Sequence, residues 1–133
     1  MDEQKLRAIP LFAGLGKNDL RRLAQATDEI DVREGKALLR EGAFAYEFMV
    51  IQEGKAEVTR QGEHIADLGP GDVLGEVAAL DRGTRNATVV ATSPMRLAVM
   101  TARDLRALAS AIPDLERTLK AMADERRPLT PSA

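Results

Sequence analysis

Glu76 and Arg85 stand nine positions apart in the run Gly75-Glu76-Val77-Ala78-Ala79-Leu80-Asp81-Arg82-Gly83-Thr84-Arg85-Asn86-Ala87-Thr88. The planar fork of an arginine offers two parallel charge-assisted hydrogen bonds, which suits a phosphate. An ionised carboxylate only accepts hydrogen bonds, which suits a ribose hydroxyl. Between the two lie small apolar residues able to form one short helix, Glu76 to Leu80, and then a glycine turn. Backbone N–H groups at the start of such a helix add donors and a favourable dipole for an anion. Taken alone, such a pair reads far more readily as a surface ion pair worth about 0–1 kcal/mol. The surrounding glycines and alanines, which let a ligand approach closely, favour a grip on a small sugar phosphate.

Such a grip needs a frame, and the chain carries the pattern of one. From Asp28 onward, short strand-like runs alternate with breakers: Ile30–Val32, Ala37–Leu39, Phe48–Ile51, Ala56–Thr59 and Ile65–Leu68. The breakers are Glu34-Gly35, Glu41-Gly42, Glu53-Gly54, Gln61-Gly62 and Gly69-Pro70-Gly71-Asp72. Two further runs, Ala87–Thr92 and Met95–Met100, follow the grip and are divided by Ser93-Pro94. Short strands at such spacing predict a small antiparallel barrel or sandwich. Gly54 and Gly62 are the expected hairpin turns, because glycine tolerates positive φ.

Helical signals flank the strands. Leu6 to Ala26 reads as helix with a break at Pro10 to Gly16, where Leu11, Phe12 and Leu15 offer apolar contacts. Gly16 fits an N-cap, with Asp19 near the positive end of the dipole. At the other end, Thr101 followed by Asp104 resembles a capping box. Leu105, Leu108, Ile112, Leu115, Leu119 and Met122 then form one apolar stripe at helical spacing. Pro113 splits it and suits the first position of a second helix, on which Glu116 and Lys120 form an i,i+4 pair. Pro128 stops that helix, and the residues after it read as a disordered tail.

Bulk properties narrow the function classes. The chain has 133 residues, 44% apolar and 30% charged, which suits one domain with a single core. Net charge is −2 and aromatics are 3%, which argues against a general nucleic-acid or membrane binder. There is no cysteine, so disulfides and thiolate metal sites are excluded. One histidine, His64, cannot build a cupin-like metal centre and reads as a solvent-exposed turn residue. Gly69-Pro70-Gly71 through Gly75 is a poor dinucleotide fingerprint, since Pro70 lacks a donor and no long helix follows. No nucleophile–base set is visible, so no enzymatic role is expected. The N-terminus lacks a long apolar run and no segment approaches a membrane span, which makes the cytoplasm the default location.

Gly75-Glu76, eight residues, then Arg85-Asn86-Ala87-Thr88 resembles the phosphate-binding cassette of cyclic-nucleotide-binding domains. These occur in bacterial catabolite activators, regulatory subunits of cyclic-AMP-dependent kinase and gated channels. The lead-in Leu68 to Leu74 is similar to the family's loop before the cassette, and the likeness runs from about Ile9 to the terminal helix. It implies a mainly β fold: an antiparallel, jelly-roll-like β-roll over 28–100 with N-terminal helices over 1–27, a short cassette helix and two C-terminal helices over 101–127. A binding domain over 1–127 would then precede a disordered 128–133.

The resemblance also implies roles. Glu76 would accept the ribose 2′-hydroxyl with help from the Gly75 backbone. Arg85 would pair with the phosphate. Backbone groups around Val77, Ala78, Asn86 and Ala87 would complete the cradle. Leu68 would touch the base, and Leu119 or Met122 would cap it from a terminal lid helix. Leu74 stands where many members have Phe. Asn86 stands where most have Ala, Ser or Thr, which leaves the choice between cyclic AMP and cyclic GMP open, with cyclic AMP the leading ligand and no other cofactor. The output is expected through a protein partner or self-association at the C-terminal helix. The alternative is a degenerate cassette on a protein-interaction or dimerisation module. A DNA-binding role would need a helix-turn-helix after the lid, and only six residues follow Arg127.

Overall fold

The computed structural model describes residues 1–75 and 83–126. The expected cassette helix, with Glu76, Val77 and Ala78, and the expected tail over 128–133 lie outside the described residues. Helix α1 (Glu3–Arg7) starts at the Asp2 cap, whose carboxylate accepts from the Gln4 and Lys5 amides. A 3₁₀ turn at Pro10–Phe12 fills the expected break, burying Phe12 and Leu15. Helix α2 (Lys17–Ala26) begins after Gly16, which caps without a side-chain bond, with Asp19 in its first turn.

Among the described residues, eight strands follow: β1 (Asp28–Val32), β2 (Ala37–Leu39), β3 (Glu47–Glu53), β4 (Ala56–Arg60), β5 (Glu63–Leu68), β6 (Val73–Leu74), β7 (Thr88–Ala91) and β8 (Met95–Thr101). They form two four-stranded sheets, ordered β1-β8-β3-β6 and β2-β7-β4-β5. Among the described residues every strand pairing is antiparallel. The expected β-roll with flanking helices is therefore the observed architecture. Gly54, at φ +93°, turns β3 into β4, where an added Cβ would lie 2.3 Å from the Pro94 carbonyl oxygen. Gln61 at φ +52° and Gly62 at φ +81° form the two-residue turn between β4 and β5, the primed type that matches strand twist.

Two expectations need correction in detail. Val73–Leu74, expected within the loop before the cassette, pairs with Met49 and Val50 as β6; two residues are too few to show a period. His64 lies inside β5, past the turn, although it is solvent-exposed as expected. Its ring meets the Glu57 carboxylate at 3.1 Å on the outer face of the second sheet.

Strands β3 and β8 explain why the core has two halves. Alternate residues of a strand face opposite ways, and both strands are apolar on both faces. Phe48, Val50, Ala98 and Met100 join Leu6, Phe12, Leu20 and Leu23 beneath the helices. Met49, Ile51, Leu97 and Val99 join Val89 and Ala91 between the sheets. The first sheet is thus a wall with helices on one side and the interior of the roll on the other.

Two helices close the chain. The Thr101 hydroxyl caps helix α3 (Ala102–Ala111) by accepting from the Asp104 amide at 3.0 Å. Pro113 opens helix α4 (Pro113–Arg126), as its fixed φ and missing N–H allow. Lys120 meets Glu116 at 2.8 Å across one turn of α4.

Candidate functional site

Arg85 lies between the two sheets at one end of the roll. Its backbone is fixed by the loop from β2 to β3. The Arg85 amide donates to Ala43 O at 2.8 Å, and its carbonyl accepts from the Gly42 amide at 2.9 Å. Phe44 bridges Thr84, and the Ala45 amide reaches Gly83 O at 3.2 Å. Residues 83–85 therefore run antiparallel to 42–45. This strip gives the cassette's closing end a rigid seat.

The Arg85 side chain is 7% exposed. A buried guanidinium needs polar partners, because leaving its charge unsolvated is costly. Here Nη1 donates to Gly75 O at 3.1 Å, and Nη2 donates to Glu47 O. Both carbonyls belong to the first sheet's end of the site. Gly75 makes this approach possible: it sits at φ +80°, and a Cβ there would lie 2.3 Å from Nη1. Its glycine identity thus has two causes, backbone conformation and room for the arginine.

The other candidates are not all brought together. Ala87 is buried beside Arg85, while Asn86 is exposed. The Asn86 carbonyl accepts from Arg60 Nε at 3.0 Å. Leu68 is partly buried against the cluster inside the roll. Leu119 is fully buried, and Met122 partly so, in the other cluster beneath the helices. The proposed base-side residues therefore occupy opposite sides of the first sheet in this structure. Among the described residues, no group of three or more metal-ligating side chains is placed to hold a metal. No helix there is long and apolar enough to cross a membrane.

Residue types alone could not reveal two contributors. Glu47 acts through its main-chain carbonyl, so its side-chain identity carries no signal. Arg60 was visible in principle: it shares strand parity with Ala56 and Val58, which pack into the roll.

Farther away, a charged network crosses the rim of the first sheet. Arg96 Nε donates to Asp31 at 2.9 Å, and Lys5 Nζ donates to Glu29 at 3.1 Å. The bond from Arg96 holds the Asp31 carboxyl below its ordinary range, and the bond from Lys5 does the same for Glu29. The Asp31 carboxylate in turn raises Arg96.

Comparison with known proteins agrees with this frame. The model of the family "Cyclic nucleotide-binding domain" matches residues 29–111. The chain is 36% identical over 97 residues to a cAMP-dependent protein kinase regulatory subunit of Yarrowia lipolytica, covering 71% of this chain and 26% of that protein. It is 32% identical over 124 residues to a cyclic nucleotide-gated potassium channel of Rhizobium etli, covering 93% and 35%. The crystal structure of the Thermus thermophilus catabolite activator protein superposes with a TM-score of 0.77 at 28% identity, covering 88% of this chain and 57% of that one. The chain thus spans between about a quarter and a third of the two curated relatives. The proteins it is similar to include a kinase regulatory subunit, a gated channel and a catabolite activator protein. With the β-roll and the match over 29–111 in agreement, the chain belongs to the cyclic-nucleotide-binding domain family.

Proposed function

We propose that this chain senses a cyclic purine nucleotide, cyclic AMP first among the candidates, and passes the signal through helix α4 to a protein partner in the cytoplasm. The observation that carries the reading is the Arg85 guanidinium, held at the end of the roll with Gly75 cleared of any side chain. A bound phosphate would take over this guanidinium with two charge-assisted bonds. Glu76 would accept the ribose hydroxyl, with Val77, Ala78, Asn86 and Ala87 around the phosphate.

Leu119 and Met122 pack beneath the helices, so their use as a lid over the base requires α4 to change position. Ligand would favour that second position only by binding it more tightly. The relatives named as a kinase regulatory subunit and a gated channel support a regulatory output.

Calorimetry with cyclic AMP and cyclic GMP tests the reading. Wild type should bind, and Arg85→Ala should lose about 1.5–3 kcal/mol of affinity. Glu76→Ala should lose affinity as well. Amide NMR of α4 during the titration would register the helix response. Absence of heat with either nucleotide at high concentration would sink the proposal.

A second reading has an observation of its own. Arg85 already donates to two main-chain carbonyls, which would suffice for a structural arginine in a module that only binds proteins. In that case Arg85→Ala lowers thermal stability or partner binding and changes no nucleotide response.

A further inference from the structure

The helices cover the first sheet at Val50, Ala98 and Met100. Arg96 stands two residues before Ala98, on the same face, but past that cover and partly exposed. A cleft of about 430 Å³ opens there, a volume within the range of small-molecule sites. Ile9, Pro10 and Pro70 wall it, and Lys5, Gln52, Glu53 and Arg96 bring polar groups to it. Two features of the fold shape it. Ile51 opposes Leu97 while Glu53 opposes Arg96, so Gln52 is the extra residue of a β-bulge in β3. Bulges re-aim side chains, and here Gln52 and Glu53 both line the cleft. The loop that carries Pro70 is tied to the same strand. Gly71 N donates to Ile51 O at 2.8 Å, and Ile51 N donates to Asp72 O at 2.9 Å.

The hydrogen bonds of the cleft are incomplete. Lys5 is paired with Glu29 at 3.1 Å, and Arg96 Nε with Asp31 at 2.9 Å. Arg96 Nη1 lies 3.9 Å from Glu53, too far for a hydrogen bond. The Glu53 carboxylate is 70% exposed. The Gln52 amide helps to hold the Glu29 carboxyl low but falls short of hydrogen-bond geometry. Its Nε2 is therefore buried without a partner among the described residues. Unused donors on Arg96 and Gln52 thus stand beside an unused carboxylate.

We infer that this cleft binds a small zwitterion, an α-amino acid with an apolar side chain. Its carboxylate would accept from the Arg96 amino groups and from the Gln52 amide, whose terminal torsion is broad enough to turn toward it. Its ammonium would donate to Glu53, and its side chain would lie on Ile9, Pro10 and Pro70. The argument is one of charge. A simple anion would face Glu29, Asp31 and Glu53 as well as the two cations. A simple cation would face Lys5 and Arg96. A molecule that carries both charges a few bonds apart can meet each with its opposite. None of these residues belongs to the proposed nucleotide site, so the two readings stand or fall separately.

The test is an amide NMR titration of wild type, Glu53→Gln and Arg96→Lys with L-leucine, N-acetyl-L-leucine and L-leucine methyl ester, with circular dichroism to verify folding. Leucine should shift the Gln52, Glu53 and Gly71 amides saturably. The acetyl derivative lacks the ammonium and the ester lacks the carboxylate, so each should bind wild type roughly tenfold more weakly. Glu53→Gln should weaken leucine by roughly tenfold and bring it level with the acetyl derivative. Arg96→Lys keeps a point charge without the fork, so it should narrow the gap between leucine and the ester. Equal binding of leucine and either derivative to wild type overturns the inference. So does leucine affinity unchanged in Glu53→Gln, or the absence of any saturable shift at millimolar leucine.

Discussion

The two sides of the first sheet do different work. Beneath the helices, Phe12, Phe48, Leu105, Leu115 and Leu119 form a layer of large, fully buried side chains. Between the sheets a second and smaller cluster packs among the described residues, with Met49, Ile51, Leu74 and Leu97 among its members, and Arg85 is buried as well. The helical side spends its apolar surface on cohesion. The inner side also accommodates a buried charged group, Arg85. Strands β3 and β8 serve both layers through alternate residues, so a change in one layer is one peptide away from the other. That geometry would let movement of α4 and occupancy of the roll influence each other.

The largest test of this contrast is truncation in each layer. Leu119→Ala and Leu97→Ala each remove a fully buried leucine and should cost about 2–5 kcal/mol of unfolding free energy by denaturant titration. Hydrogen exchange should separate them: Leu119→Ala should release α3 and α4 while β4, β5 and β7 keep their protection. Equal loss of protection in both layers would show one cooperative unit and remove the distinction.

A smaller effect is expected at the turn between β4 and β5 of the second sheet. Gln61 occupies positive φ without being glycine, a conformation that costs an ordinary L-residue on the order of 1 kcal/mol and that asparagine tolerates better. Gln61→Asn should raise the melting temperature by a few degrees for a domain of this size. Since the turn lies outside both layers, exchange in α4 should stay as in wild type. A fall in melting temperature would contradict the turn assignment.

The smallest effect belongs to the charged rim. Asp31 and Glu29 are held below their ordinary values of 3.8 and 4.5. A depressed carboxyl stabilises the fold fully above its unfolded value, and that stability is lost as pH falls through the folded value. Melting temperature should therefore drop below about pH 4, less steeply in Asp31→Asn. Both groups face solvent, so added salt should weaken the effect. A steeper fall in Asp31→Asn would reverse the assignment.

Much of the frame was legible because it rests on local rules. The turns at Gly54 and Gly62 follow from backbone conformation. The Thr101 cap follows from a hydroxyl three residues before an amide, and the α4 start follows from proline's fixed φ. Strand β6 was hidden because its two residues gain their state only from Met49 and Val50. The site divided in the same way: Arg85 was visible as a cation in a glycine-rich run, but its partners were not.

The sequence by itself determined where the chain turns, which runs are apolar, and that one arginine and one carboxylate sit in a ligand-like setting. Those properties depend on residues within a few positions of each other. Only the tertiary structure decided that Arg85 is steadied by the Glu47 carbonyl, 38 positions away, that Arg60 reaches the Asn86 carbonyl, and that Leu119 lies on the far side of the sheet from Leu68. Carbonyls carry no residue signature, and a strand apolar on both faces does not say which neighbour each face will meet. Packing supplies that answer, because burying both faces at once leaves one arrangement of sheets and helices.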